Sequence, residues 1–125
     1  MSTNAAVMTT QEVADRFHEL AQSGAWEKIQ EEFFSEDAES IEPAHSPGLQ
    51  SVKGLAAIKQ KGENFQQAVE EVHGGYSNAP IVAGTHFAVA MGLDCTMKGM
   101  GRMNMEEIAV YEVKDGKIVK EQFFY

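Results

Sequence analysis

Apolar residues recur three and four positions apart near the start of the chain, where Val13, Phe17, Leu20 and Ala21 share one helical face. Thr9 and Glu12 stand at capping-box spacing ahead of that run, and Ser23-Gly24 stops it. Trp26, Ile29 and Phe33 keep the same period over 25–34, with Lys28 and Glu31 on the opposite side. A second helix therefore follows after a very short turn, and the two form a hairpin. A strand is expected over 38–42, ended by Pro43 and a turn at His45-Ser46-Pro47-Gly48, with 49–53 returning beside it. Leu55, Ile58 and Phe65 mark a third helix over 54–67. Beyond it the period falls to two, and strands are expected at 69–76, 81–83, 85–97, 102–114 and 117–125. Asp115-Gly116 is a strong hairpin signal, because both central positions of a type I′ turn need positive φ. A long antiparallel meander results. No repeat or linker divides the chain, so one domain over 1–125 is expected, with 1–8 flexible.

Alternation assigns the faces. Phe87, Val89, Met91, Leu93, Cys95 and Met97 point one way and form the core side, while His86, Ala88, Ala90, Gly92, Asp94 and Thr96 point the other. Five of the seven methionines fall between Met91 and Met105, where flexible thioethers can line an irregular cavity or simply fill a core. Glu107 falls in step with Met103, Met105, Ala109 and Tyr111, and Glu121 with Val119, Phe123 and Tyr125. An acid on an apolar wall is informative, since desolvation raises its pKa towards neutrality and suits it to proton transfer. A single bulge would invert the alternation and bring Glu106 inward in place of Glu107.

Charge narrows the partners. Acidic residues number 19 against 10 basic, giving a net charge of −9, the wrong sign for nucleic acid or an anionic membrane. The lone Cys95 cannot form an intrachain disulfide, and no secretory or membrane-spanning segment is evident, so a cytoplasmic location is expected. Cys95 beside Asp94 reads as a buried filler and not a nucleophile. His18, His45, His73 and His86 have no metal-ligand spacing, so neither metal nor cofactor is expected. His73 is the histidine placed best to reach a cavity. Gly99-Met100-Gly101 sits in a hairpin and lacks the ending of a phosphate loop.

Taken in order, Ser23-Gly24-Ala25-Trp26-Glu27-Lys28-Ile29, Ser40-Ile41-Glu42-Pro43, Lys53-Gly54 and Asp115-Gly116-Lys117-Ile118-Val119 resemble the nuclear transport factor 2-like superfamily, and its SnoaL-like branch in particular. The resemblance spans nearly the whole chain. It implies an α+β fold in which a cone-shaped, curved antiparallel or mixed sheet packs against three N-terminal helices, the architecture also termed cystatin-like. It implies an apolar pocket at the junction of helices and sheet, where Phe17 or Trp26 could form part of the wall, and homodimers built on the outer sheet face. It also brings in Glu42, because the Glu-Pro step resembles the general-base position of ketosteroid isomerases. Phe17 stands where those isomerases carry a tyrosine donor in the first helix, which disfavours their reaction. The histidine and aspartate of the cyclases have no clear counterpart, and Arg102 alone matches the epoxide hydrolase triad. Fold membership does not assign a reaction.

The expectation is therefore a pocket protein for a small, largely apolar molecule. Glu42, Glu107 and Glu121 are its candidate catalytic acids, and Phe17, Trp26, His73, Met91, Met105 and Phe123 its candidate ligand contacts. Isomerase, cyclase or hydratase-type chemistry without a cofactor is one outcome. A non-catalytic ligand-binding or dimerisation domain is the other.

Overall fold

In the computed structural model, which describes residues 7–46 and 48–125, helix α1 (Thr10–Gln22) starts at a complete capping box. Thr9 Oγ1 accepts from Glu12 N at 3.1 Å, and Thr9 N donates to Glu12 Oε1 at 2.9 Å, so two otherwise orphaned amides are satisfied. Its buried side chains, Val13, Ala14, Phe17, Leu20 and Ala21, are the periodic set expected from the pattern. Helix α2 (Trp26–Phe33) buries Ile29 and Phe33, and Arg16 ties it to α1 through a 3.1 Å contact with Glu32.

Strand β1 (Phe34–Ile41) begins at the residue that caps α2, four positions earlier than alternation suggested. Buried Phe34 reads equally well as the end of a helical stripe, which is why the sequence assigns it to the wrong element. The return strand β2 shrinks to Val52–Lys53, and α3 (Leu55–Ala68) follows. The rest matches the expected meander: β3 (Val69–Ser77), β4 (Ile81–Ala83), β5 (His86–Met97), β6 (Gly101–Lys114) and β7 (Lys117–Phe124). Asp115 and Gly116 take φ of 51° and 75°, as the turn between β6 and β7 requires. Of the expected flexible segment, residues 1–6 lie outside the described residues, as does Pro47 of the expected turn. Met8 packs against the core.

The strands form one curled, mixed sheet in the order β2-β1-β7-β6-β5-β3, with β4 also pairing β5. Only the β1–β7 pair is parallel; the other pairs are antiparallel. Pairing of β5 with β6 runs without a slip from His86↔Glu112 to Met97↔Gly101, so their faces keep the expected parity. Between β6 and β7 the register shifts: Val113 pairs Ile118 while Glu112 pairs Lys120, which leaves Val119 as the extra residue. Val119 therefore does not share the inner face with Glu121 as strict alternation has it, and fully buried Ile118 does.

The helices cover the concave side. Phe17 meets Phe87 at 5.3 Å and Tyr111 at 4.7 Å between ring centroids, and these rings, with Ile29, Phe33, Ile58 and Ile118, make the dense end of the core. Towards the other end, Leu93, Met103 and Met105 stay half-buried and outside that cluster. The concave face is thus fully buried at one end and half-buried at the other.

Candidate functional site

Three carboxyl groups, from β6, β7 and the residue just past β1, converge near the middle of the concave face. Glu121 on β7 lies beside Ser40 across the parallel pair, and Ser40 Oγ donates to Glu121 Oε2 at 2.7 Å. Both residues are buried. Glu42, just past β1, is buried as well, and its backbone N–H donates to Ser51 Oγ at 2.9 Å. Helix α3 carries Lys61 over them. Its Nζ donates to Glu42 Oε2 at 2.8 Å and to Ser40 Oγ at 2.6 Å, and sits 5.5 Å from the centroid of the Phe123 ring. On the far side of Glu42, the Tyr125 hydroxyl donates to Oε1 at 2.7 Å and lies 2.8 Å from Ser46 Oγ.

Glu107 completes the group from β6, opposite Met91. It has no hydrogen-bond partner among the described residues, whereas its neighbour Glu106 faces outward and accepts from Tyr76 Oη at 2.8 Å. The unbroken β5–β6 register settles which of the two points inward. Burial first, then the nearby Glu42 and Glu121 charges, push the Glu107 carboxyl up to about 7, against the pull of Lys61. Burial likewise pushes Glu121 up to about 7, opposed by the Ser40 hydrogen bond and by Lys61, with Glu42 adding repulsion. One ammonium cannot neutralise three carboxylates. Lys61 is engaged by Glu42 and Ser40, so Glu107 and Glu121 hold protons into the neutral range and can give or take one there.

Tyr111 stands beside this group, paired with Glu121 across the β6–β7 ladder. Its ring stacks on Phe87 at 5.0 Å and leans on Phe17, and burial together with the Glu121 and Glu107 charges raises its phenol well above the usual value.

The remaining expected contacts divide. Phe17 is buried in the core, Met91 and Phe123 pack against it, and Met105 lies half-buried towards the other end of the same face. Trp26 sits at the rim: its ring packs edge-on against Phe17 at 6.0 Å, yet it is 38% exposed and borders a surface groove of about 440 Å³ with Gly24, Lys28 and Glu31. That groove lies away from the carboxyl groups, and we attach no chemistry to it. His73 is likewise outside. A register shift between Val72 and Gly74 turns it to the outer face, where its ring nitrogen meets Thr96 Oγ1 at 2.7 Å. Arg102 is also on that face, held by Asp94 through contacts of 3.0 and 2.8 Å.

Lys61, Ser40, Tyr111 and Tyr125 are the site residues that sequence reasoning did not single out. Lys61 had a signal, since it stands three residues after Ile58 and four before Phe65 and so shares the buried face of α3. Ser40, two before Glu42 on a strand, shares its face in the same way.

Helices laid over the concave side of a curled sheet, with acids gathered on that side, define an α+β protein of the cystatin-like, nuclear transport factor 2-like class. The chain belongs to the SnoaL-like domain family, which matches residues 8–125. A protein from Mesorhizobium loti, named as a candidate SnoaL-like polyketide cyclase, is 37% identical and superposes with a TM-score of 0.88 over 94% of this chain and 100% of its own. A hypothetical protein with a ketosteroid isomerase-like fold from Catenulispora acidiphila, solved in complex with trimethylamine, is 16% identical (TM-score 0.70, 94% and 87% of the two chains). An NTF2-like protein of unknown function from Burkholderia pseudomallei is 14% identical (TM-score 0.74, 94% and 92%). The last two show the fold alone. No curated protein matches the chain significantly. No helix among the described residues is long and apolar enough to cross a membrane.

Proposed function

We propose that this chain holds a small, largely apolar molecule against the concave face and moves a proton on it through Glu107, without a cofactor, in the cytoplasm. The observation that carries this reading is an unpaired carboxyl on a methionine-bearing wall, with its titration lifted to about 7. Such a group is close to half-protonated at neutral pH, which suits it to act as base in one step and acid in the next. Glu121 is the second proton-holding carboxyl; the Glu42 charge adds to the rise at Glu107, and Lys61 opposes it. Met105 and Phe123 provide apolar contact beside it. The complex of a fold relative with trimethylamine supports a small ligand on this type of scaffold.

Hydrogen–deuterium exchange at the α-carbon of a panel of cyclic ketones in D₂O, followed by NMR, tests the proposal. Wild-type protein is expected to accelerate exchange for at least one ketone, and Glu107→Gln to lose roughly two orders of magnitude or more of that acceleration. Equal exchange in both proteins would end the assignment to Glu107.

A second reading is favoured by the outer face of the sheet. Ile81, Ile108 and Phe124 are 76, 51 and 49% exposed there, beside the small residues Ala88 and Ala90. A self-complementary apolar face of this kind suits a homodimer, and association can coexist with ligand binding or be the protein's whole role.

A further inference from the structure

Water has little access to Glu121. The residue is 7% exposed, and among the described residues its carboxyl has one hydrogen-bond partner, Ser40 Oγ at 2.7 Å. A carboxyl that holds a proton into the neutral range must also exchange it, and a buried one does so through groups that each give a proton while taking another. Ser40 is such a group. Fully buried, it donates its one hydrogen to Glu121 and accepts from Lys61 Nζ at 2.6 Å. Lys61, reaching in from α3, also donates to Glu42 Oε2 at 2.8 Å and keeps 14% of its side chain exposed. An ammonium has three N–H donors, so one remains without a partner among the described residues and can meet water at that exposed edge. The other oxygen of Glu42 accepts from the Tyr125 hydroxyl at 2.7 Å, which fixes the carboxylate. A lysine that swung away from Ser40 would strand that buried charge.

We propose that Ser40 and Lys61 form the proton path of this site, carrying protons between solvent and the Glu121 carboxyl. Atoms and charge balance along it. One Nζ–H bond of Lys61 breaks as an O–H bond forms on Ser40, while the original Ser40 O–H breaks and a new one forms on Glu121 Oε2. Ammonium and carboxylate become amine and carboxylic acid, the serine is left as it was, and the amine takes a proton back from water. Release of the proton runs the same steps in reverse. Glu107 and Tyr111 on β6 also stand near Glu121, but neither is hydrogen-bonded to it among the described residues, so neither offers a second path. The proposal rests on the reading above only in taking Glu121 as a proton-holding carboxyl, and it adds how that proton is renewed.

The test needs no ligand. In a Glu107→Gln background, infrared spectroscopy follows the C=O stretch of protonated Glu121 after a rapid drop from alkaline to mildly acidic pH, and the further change Glu121→Gln assigns the band. Adding Ser40→Ala is expected to slow the appearance of that band roughly a hundredfold. Losing the Ser40 hydrogen bond also raises the midpoint of the titration, so rates are compared at equal distance from each midpoint. Lys61→Arg keeps the positive charge and the donors, but a guanidinium does not give up its proton. It should therefore leave the midpoint close to that of the background and slow the band as Ser40→Ala does, whereas a lysine with a purely electrostatic role would be replaced without loss of speed. A band that appears as fast in either variant as in the background would overturn the path. Absence of any Glu121 band would end its role as a proton holder and the path with it, while loss of ketone exchange alone would touch only the assignment to Glu107.

Discussion

Glu107 shows how one side chain can carry a functional cost that is visible as stability. Its carboxyl is held near 7 in the folded chain against an ordinary value of 4.5, with burial as the main cause. Between those two values the folded state keeps a proton that the unfolded state has released, so stability falls as pH rises through that window. Glu107→Gln removes the titration while keeping shape and apolar contact. The variant is expected to be roughly 3 kcal/mol more stable than wild type at pH 8 and indistinguishable from it near pH 4.5, as measured by urea unfolding at the two pH values. A stabilisation that does not depend on pH would show that the carboxyl is not held protonated by the fold. A protein that retains a group costly at working pH retains it for some other reason, and proton transfer is the reason proposed here.

At the scale of elements, α3 matters less for the apolar surface it buries than for the cation it delivers. Among its residues only Ile58 is fully buried, and Lys61 one turn later spans Glu42 and Ser40. The Lys61 and Glu42 side chains are 14 and 4% exposed, so this pair is far from the weak surface ion pairs found elsewhere on the chain. Lys61→Met would leave the Glu42 carboxylate buried without its counter-charge. Removing one partner of such a pair costs about 3–5 kcal/mol. Chemical denaturation of the variant beside wild type checks both the size and the direction. The β6–β7 register shift acts at the same scale, since it lets Ile118 and Glu121 both face inward across an odd interval. One feeds the core and the other the site.

For the whole molecule, the two faces of the sheet differ in character. The concave face carries the core at one end and the acids next to a half-buried stretch at the other, while the outer face combines exposed Ile81, Ile108 and Phe124 with a shallow hollow of about 280 Å³. Asp94, Arg102, Glu106 and Tyr76 form polar contacts elsewhere on that face. A charge placed in the apolar part should disrupt association and leave the concave side untouched. Wild-type protein is expected to sediment as a dimer at micromolar concentration and Ile108→Lys as a monomer with an unchanged circular dichroism spectrum. Sedimentation of wild type as a monomer would remove the interface from consideration.

The sequence by itself determined the three helices, the run of strands along the chain and the positive-φ turn at Asp115-Gly116, and it left Glu106 and Glu107 as alternatives for the inward position, between which the unbroken β5–β6 register decided. These depend on periodicity, capping and turn chemistry, which act over a few residues and are written locally. It also marked Glu42, Glu107 and Glu121 as acids of interest, though not that they meet. Their convergence with Ser40 and Lys61 follows from the parallel β1–β7 pairing and from α3 crossing above it, contacts between residues tens of positions apart that no local pattern encodes. Val119 and His73 were misplaced because each lies at a register shift, where one extra residue reverses a face without changing composition. Trp26 was misplaced because helical spacing says which residues share a side and leaves open how deep a large ring at the rim of that side will sit. Which acid pairs with the lysine and which stays free to hold a proton was decided only by the tertiary structure, since burial and the distances between charges exist only once the chain has folded.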